Sequence, residues 1–254
     1  MRVVASATLD HTMSARRGFP FSMRSSPTAG VALIALQLFF TTASIGSAQR
    51  LSPPPPALTQ LASDKNYVDV SNFPHVHLSL RYASENNFMK RNVYGEFRQC
   101  FLHQIAAEKF RLATSALEQE KPGWKFLVFD CLRPRSIQIK LFDVVKGTPQ
   151  EPYVANPKTG SLHNYGFAID LSLEDEHGNE LDMGTGFDDF RPLSHPNLER
   201  ENLKARKLTT EQLEHRLTLR KIMVKAGFIQ LPIEWWHFDA LSKEELKGHY
   251  KIVE

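Results

Sequence analysis

Ser161-Leu162-His163-Asn164-Tyr165-Gly166-Phe167-Ala168-Ile169-Asp170 is the stretch from which the rest of the chain can be read. Phe167, Ile169, Leu171 and Leu173 alternate with Ala168, Asp170 and Ser172, which is the period of a β-strand. Gly166, just before that run, lets the chain turn into it. Asp170 then falls on the strand face opposite Ile169 and Leu171, an expectation that puts its carboxylate away from the core. Trp124 to Phe129 (WKFLVF) is a second short apolar strand. His103 to Gln119 has helical spacing at Ile105, Ala106, Phe110, Ala113 and Leu117, and Pro122-Gly123 ends it. Ser136 to Val145 is again helical. Thr209 with Gln212 three residues on is a capping box that opens a helix to about Ala226, and Gly227 stops it. Phe228 to Asp239 is strand or extended chain. Helices and strands mix without a βαβ rhythm, so the expected class is α+β, a single domain with a largely antiparallel sheet and flanking helices.

The chain has 254 residues, 42% hydrophobic and 23% charged, which is globular composition. Its first 50 residues differ. Val31 to Phe40 is a ten-residue apolar run, preceded by Arg24 and followed by small residues ending at Gly46-Ser47-Ala48. This predicts a signal peptide over 1–48, cleaved near Ala48, and a run too short to serve as a stable membrane anchor. Met23 is an alternative start. Arg16-Arg17-Gly18-Phe19 is a partial twin-arginine pattern, set far from the apolar run. Pro53 to Pro56 predicts a stiff Pro-rich tether over 49–66, leaving 67–254 as the domain. Residues 1–48 hold four basic side chains and one acidic one, so residues 49–254 balance 27 basic against 27 acidic side chains. That neutrality gives nucleic acid no footprint. Cys100 and Cys131 are the only cysteines. Their spacing is not that of a metal site, and after export they are expected to pair as a disulfide.

A later segment, Glu234-Trp235-Trp236-His237, completes a set of polar groups. Catalytic zinc takes three protein ligands, commonly His nitrogens and a carboxylate oxygen, and keeps one position for water. His163, Asp170 and His237 supply that set, for one Zn²⁺ per chain. Glu234, three residues before His237, suits a base for water activated by the metal. Residues three apart on an ideal strand face opposite ways, so this role requires irregular or helical chain between them. His75-Val76-His77 has ligand-like spacing, but two histidines on one strand face is the simpler reading.

Ser161 to Asp170 (SxHxxGxAxD) with the later ExxH resembles the zinc DD-peptidases that act on peptidoglycan, of the hedgehog/DD-peptidase fold type. Leu80-Arg81-Tyr82-Ala83, Asn86-Asn87-Phe88, Val128 to Pro134 (VFDCLRP) and Met183 to Asp188 (MGTGFD) look like its D-alanyl-D-alanine dipeptidase branch. The resemblance runs from about Tyr67 to Asp239. It implies zinc ligation by His163, Asp170 and His237, and a general-base role for Glu234. It implies an oxyanion-stabilising role for Arg133 and an amine-binding one for Asp188. Ser161 and Trp235 match pocket residues. The implied substrate is a small dipeptide such as D-Ala-D-Ala from cell-wall turnover, and the implied compartment is the periplasm. A D,D-carboxypeptidase acting on stem peptides is the alternative. Leu132 stands where many relatives have Tyr, and Asp189-Phe190-Arg191-Pro192-Leu193 departs from the acidic stretch usual there, which puts the pocket's shape in question.

Overall fold

The computed structural model describes residues 51–254. The expected signal peptide, 1–48, lies outside the described residues. In chain order the elements are α1 (Pro56–Gln60), β1 (Tyr67–Asp69), β2 (Val76–Leu78), β3 (Phe101–His103), α2 (Gln104–Glu120), β4 (Lys125–Asp130), α3 (Arg135–Val145), β5 (Ala168–Glu174), α4 (Glu199–Lys204), α5 (Thr210–Lys225), β6 (Ile229–Gln230), β7 (His237–Asp239) and α6 (Lys243–Leu246). The class is α+β. The main sheet has the order β2-β4-β5-β7-β6, and β1 pairs with β3 apart from it. Every pairing is antiparallel except β2 with β4.

β5 lies in the middle of the sheet and is buried on both faces over its whole length. Alternation along it therefore separates the apolar core from a second face that is buried as well. Ile169, Leu171 and Leu173 pack into the principal core with Phe110 and Leu117 of α2 and Leu219 and Ile222 of α5. The opposite face carries Asp170, as the alternation predicted, and there its carboxylate is buried, with 2% of the residue exposed, and lines a cavity.

The helices begin where the sequence places them. His103 caps α2, and Thr209 and Gln212 form the capping box of α5, with Thr209 Oγ1 accepting from Gln212 N–H at 3.1 Å. The proposed tether is corrected. Pro56 occupies the first turn of α1, where a missing N–H costs nothing, and Leu58 and Leu61, three apart, give the segment an apolar face. Both leucines are buried in a second apolar cluster with Tyr82, Tyr94, Ile137 and Leu141. Residues 56–63 are thus part of the fold and not a spacer.

Cys100 and Cys131 are joined by a disulfide with Cα atoms 5.5 Å apart. The bridge ties the residue before β3 to the segment between β4 and α3.

Candidate active site

Three strands place the site. β4 pairs with β5 so that Asp130 lies opposite Asp170, after a bulge between Val128 and Asp130, and β5 pairs with β7 so that Asp170 lies opposite His237. Side chains opposite one another on antiparallel strands share a face, so Asp130, Asp170 and His237 form a row across the sheet. His163 comes from the 3₁₀ turn Leu162–Tyr165 that precedes β5. Ser161 caps that turn, its Oγ accepting from His163 N–H at 3.3 Å, while Asn164 Oδ1 accepts from Ser161 N–H at 2.7 Å. Gly166 leaves the turn at φ 75°, and a Cβ there would come within 2.8 Å of the His103 nitrogen, so only glycine fits.

His163 Nε2 lies 3.2 Å from His237 Nδ1 and 3.2 Å from Asp170 Oδ2, and His237 Nδ1 lies 3.0 Å from Asp170 Oδ1. The outward nitrogens are both engaged. His163 Nδ1–H donates to the Cys131 carbonyl at 2.7 Å, and His237 Nε2–H donates to Asp239 Oδ1 at 2.8 Å. With those protons facing out, two imidazole lone pairs and a carboxylate face one another in a buried space. That is a deficit of positive charge which a cation fills. Tetrahedral coordination with bonds of about 2.0 Å sets donors about 3.3 Å apart, close to the spacing found here. His163, Asp170 and His237 therefore fit a metal ion, and among the described residues they are the group that meets this description.

Glu234 Oε2 lies 4.0 Å from His237 Nδ1. The geometric difficulty of residues three apart disappears because 231–236 is a loop between β6 and β7, closed by Leu231 N–H donating to the His237 carbonyl at 3.1 Å. Pro232 sits in its first turn. Burial pushes the Glu234 carboxyl up to about 8, against the pull of His237. A cation among the three donors adds to that pull.

Arg133 is 7% exposed. Its Nε and Nη2 donate to Asp130 Oδ2 at 2.8 and 2.5 Å, and its Nη1 donates to Gln138 Oε1 at 2.9 Å. Asp130 also accepts from Tyr94 OH at 2.6 Å. The guanidinium is thus clamped in the cavity wall with N–H groups to spare, and Nη2 stands 3.6 Å from Asp170 Oδ2.

Asp188 lines the same cavity, its Oδ1 accepting from Tyr82 OH and its Oδ2 from Phe88 N–H, both at 3.1 Å. Burial raises its carboxyl to about 7, with the Phe88 N–H opposing and the Asp170 charge assisting. The cavity measures about 120 Å³ and lies on the seam between the two apolar clusters. Tyr82, Tyr153, Phe190 and Trp236 supply its aromatic wall.

Of the residues chosen from sequence, His163, Asp170, His237, Glu234, Arg133, Asp188 and Ser161 all line this one cavity. Trp235 does not. It is 1% exposed, its Nε1–H donates to Thr185 Oγ1 at 2.8 Å, and its neighbour Trp236 faces the cavity instead. The turn at 235–236 sends the two indoles in different directions, which no sequence period reveals. The sequence also left Asp130, Gln138 and Asp239 unread, since each acts by holding another residue. His75 and His77 do not converge on a site: they pair separately with Glu118 at 3.2 Å and Glu174 at 2.6 Å.

Residues 64–252 match the peptidase M15 family, described as D-ala-D-ala dipeptidase. The chain belongs to this family. It is 36% identical to the D-alanyl-D-alanine dipeptidase of Escherichia coli K12 over 167 residues, covering 66% of this chain and 80% of that one. It is 31% identical to the D-alanyl-D-alanine dipeptidase of Synechocystis over 156 residues, covering 50% of this chain and 63% of that one. A solved LD-carboxypeptidase, LdcB, reported for how it recognises peptidoglycan, shows a fainter likeness, with TM-score 0.39, 20% identity and 72% of each chain covered. As a member of this family the chain is a peptidase, and the cavity holding Glu234 and Arg133 is its candidate active site.

Proposed function

We propose that this peptidase is a zinc-dependent dipeptidase that hydrolyses D-Ala-D-Ala or a related small dipeptide of cell-wall metabolism. The observation that carries this reading is Asp188, a buried carboxylate in the same small cavity as the three metal donors and Glu234. A free dipeptide ends in an ammonium close to its scissile bond, and Asp188 offers that ammonium a partner. A stem peptide has an acylated nitrogen there and no charge to give.

Two imidazoles and one carboxylate suit zinc, which when bound polarises the scissile carbonyl and acidifies water. The rest is done by the chain. Asp188 orients the substrate through its ammonium. Glu234 takes a proton from the attacking water and returns it to the leaving amine. Arg133, held rigid by Asp130 and Gln138, faces the oxygen on which negative charge gathers and needs no rearrangement to stabilise it. Aromatic walls keep bulk water away, which strengthens each of these charges.

We also infer export to the periplasm, supported by the pattern of residues 1–48 and by the Cys100–Cys131 bridge, since such bridges persist in oxidising compartments.

The test is release of D-alanine from D-Ala-D-Ala by the purified protein, with chelator and after adding back Zn²⁺. Zinc-dependent release is expected. Cleavage of N-acylated substrate in preference to the free dipeptide would overturn the reading in favour of a carboxypeptidase.

A further inference from the structure

A dipeptide carries two charges, and Asp188 answers only the ammonium. The carboxylate needs a cation at the other end of the cavity. Two cationic side chains line it, Arg133 and Lys243. Arg133 is held by Asp130 and Gln138, and its spare N–H groups stand beside Asp170 among the metal donors, where the oxyanion forms. Lys243, the first residue of α6, has no ion pair or side-chain hydrogen bond among the described residues, although it stands among acidic neighbours in sequence.

Its position also fits. Asp188 is held by Tyr82 and Phe88 on one flank of the cavity. Lys243 belongs to the other flank, where Gly160, Ser161 and Leu162 also line an adjoining hollow. His163 belongs to that same turn, so the metal donors adjoin the Ser161 flank, and they share the cavity with Asp188. An extended dipeptide with its ammonium at Asp188 and its scissile carbonyl at the metal donors therefore points its carboxylate toward Ser161 and Lys243.

We propose that Lys243 is the specificity residue that binds the free α-carboxylate of the substrate, with the Ser161 hydroxyl beside it. This rests on the reading of the protein as a peptidase that releases a C-terminal residue. An exposed ammonium that gains a desolvated carboxylate partner contributes about 5–30-fold to kcat/KM, the lower range for a charge-assisted hydrogen bond.

The test compares D-Ala-D-Ala with its C-terminal amide, using the full purified chain and its Lys243→Met and Lys243→Arg variants. The intact protein is expected to prefer the acid, with the difference in KM. Lys243→Met is expected to lose that preference, and Lys243→Arg to keep most of it. A Lys243→Met protein that still distinguishes acid from amide as well as the parent does overturns the proposal. If the protein prefers N-acylated D-Ala-D-Ala, the dipeptidase reading fails. Lys243 is then judged by the same acid-to-amide ratio on the acylated substrate, because that substrate also ends in a free carboxylate.

Discussion

His163, Asp170 and His237 stand on or next to the central strands β5 and β7, with their outward atoms tied to Cys131 and Asp239, while Asp188, Tyr153 and Phe190 stand on loops over the same cavity. The first group is fixed by the register of β5, a strand buried on both faces, against β7 and by the turn that leads into it. The second depends on how long connections fold back. A sheet register has few alternatives, because a one-residue slip would turn Asp170 into the core. Loops can change residue by residue without disturbing the strands. The metal wall therefore sets the kind of chemistry and the loop wall sets which molecule undergoes it.

Substitutions on each wall test that division. Glu234→Gln keeps the size of the side chain but removes the base, so kcat should fall by about 10²–10⁴-fold. Metal content, measured on the same sample, should be unchanged. A parallel loss of metal would mean that Glu234 belongs to the donor set and not to the reacting groups. Asp239→Ala frees His237 to turn or to exchange its proton, and metal affinity should drop by roughly 10–100-fold in chelator competition. Unaltered affinity would show that strand register alone orients the imidazole.

On the loop wall, Asp188→Asn should raise KM for free dipeptide by roughly 10-fold or more, the usual scale of a lost charged hydrogen bond. In the unmodified protein a proton and the substrate's ammonium compete for this carboxyl, which sits at about 7. KM should therefore climb as the pH drops below about 7, and that climb should vanish in the variant. The smallest effect is expected at Trp235→Phe, which deletes the hydrogen bond to Thr185. It should lower stability by about 1 kcal/mol in a thermal melt and leave KM alone. A changed KM would return Trp235 to the cavity wall.

The same division explains what could be read in advance. Gly166, the alternation of β5 and the capping box at Thr209 are local signals, and the elements they announce are present. The metal donors were legible because their residue types suit one ion and the resemblance covers them. Glu234 beside His237 contradicted strand periodicity until the loop 231–236 came into view. Asp130 and Gln138 were unreadable for a different reason. Their partner is the Arg133 side chain, and nothing local marks a residue whose task is to hold another. The segment 56–63 misled because a proline run suggests extension, yet the last proline opens a helix and the leucines after it decide its fate. Trp235 and Trp236 are the same residue side by side, and only the turn between them separates packing from pocket.

Asp188 has a left-handed backbone, with φ 60°. For a side-chain-bearing residue that conformation costs about 1–2 kcal/mol, less for Asp than for most. Its carboxyl adds a second cost, since a group raised to about 7 weakens the fold progressively as pH rises from the ordinary carboxylate range, and fully above about 7. Glycine at this position would remove both costs, but it would leave the Tyr82 hydroxyl and the Phe88 N–H without their acceptor, at about 1–3 kcal/mol for each group left buried and unpaired. A laboratory selection for heat resistance alone, blind to catalysis, would therefore find no easy gain here, because the strained carboxylate is also the acceptor on which its two neighbours rely.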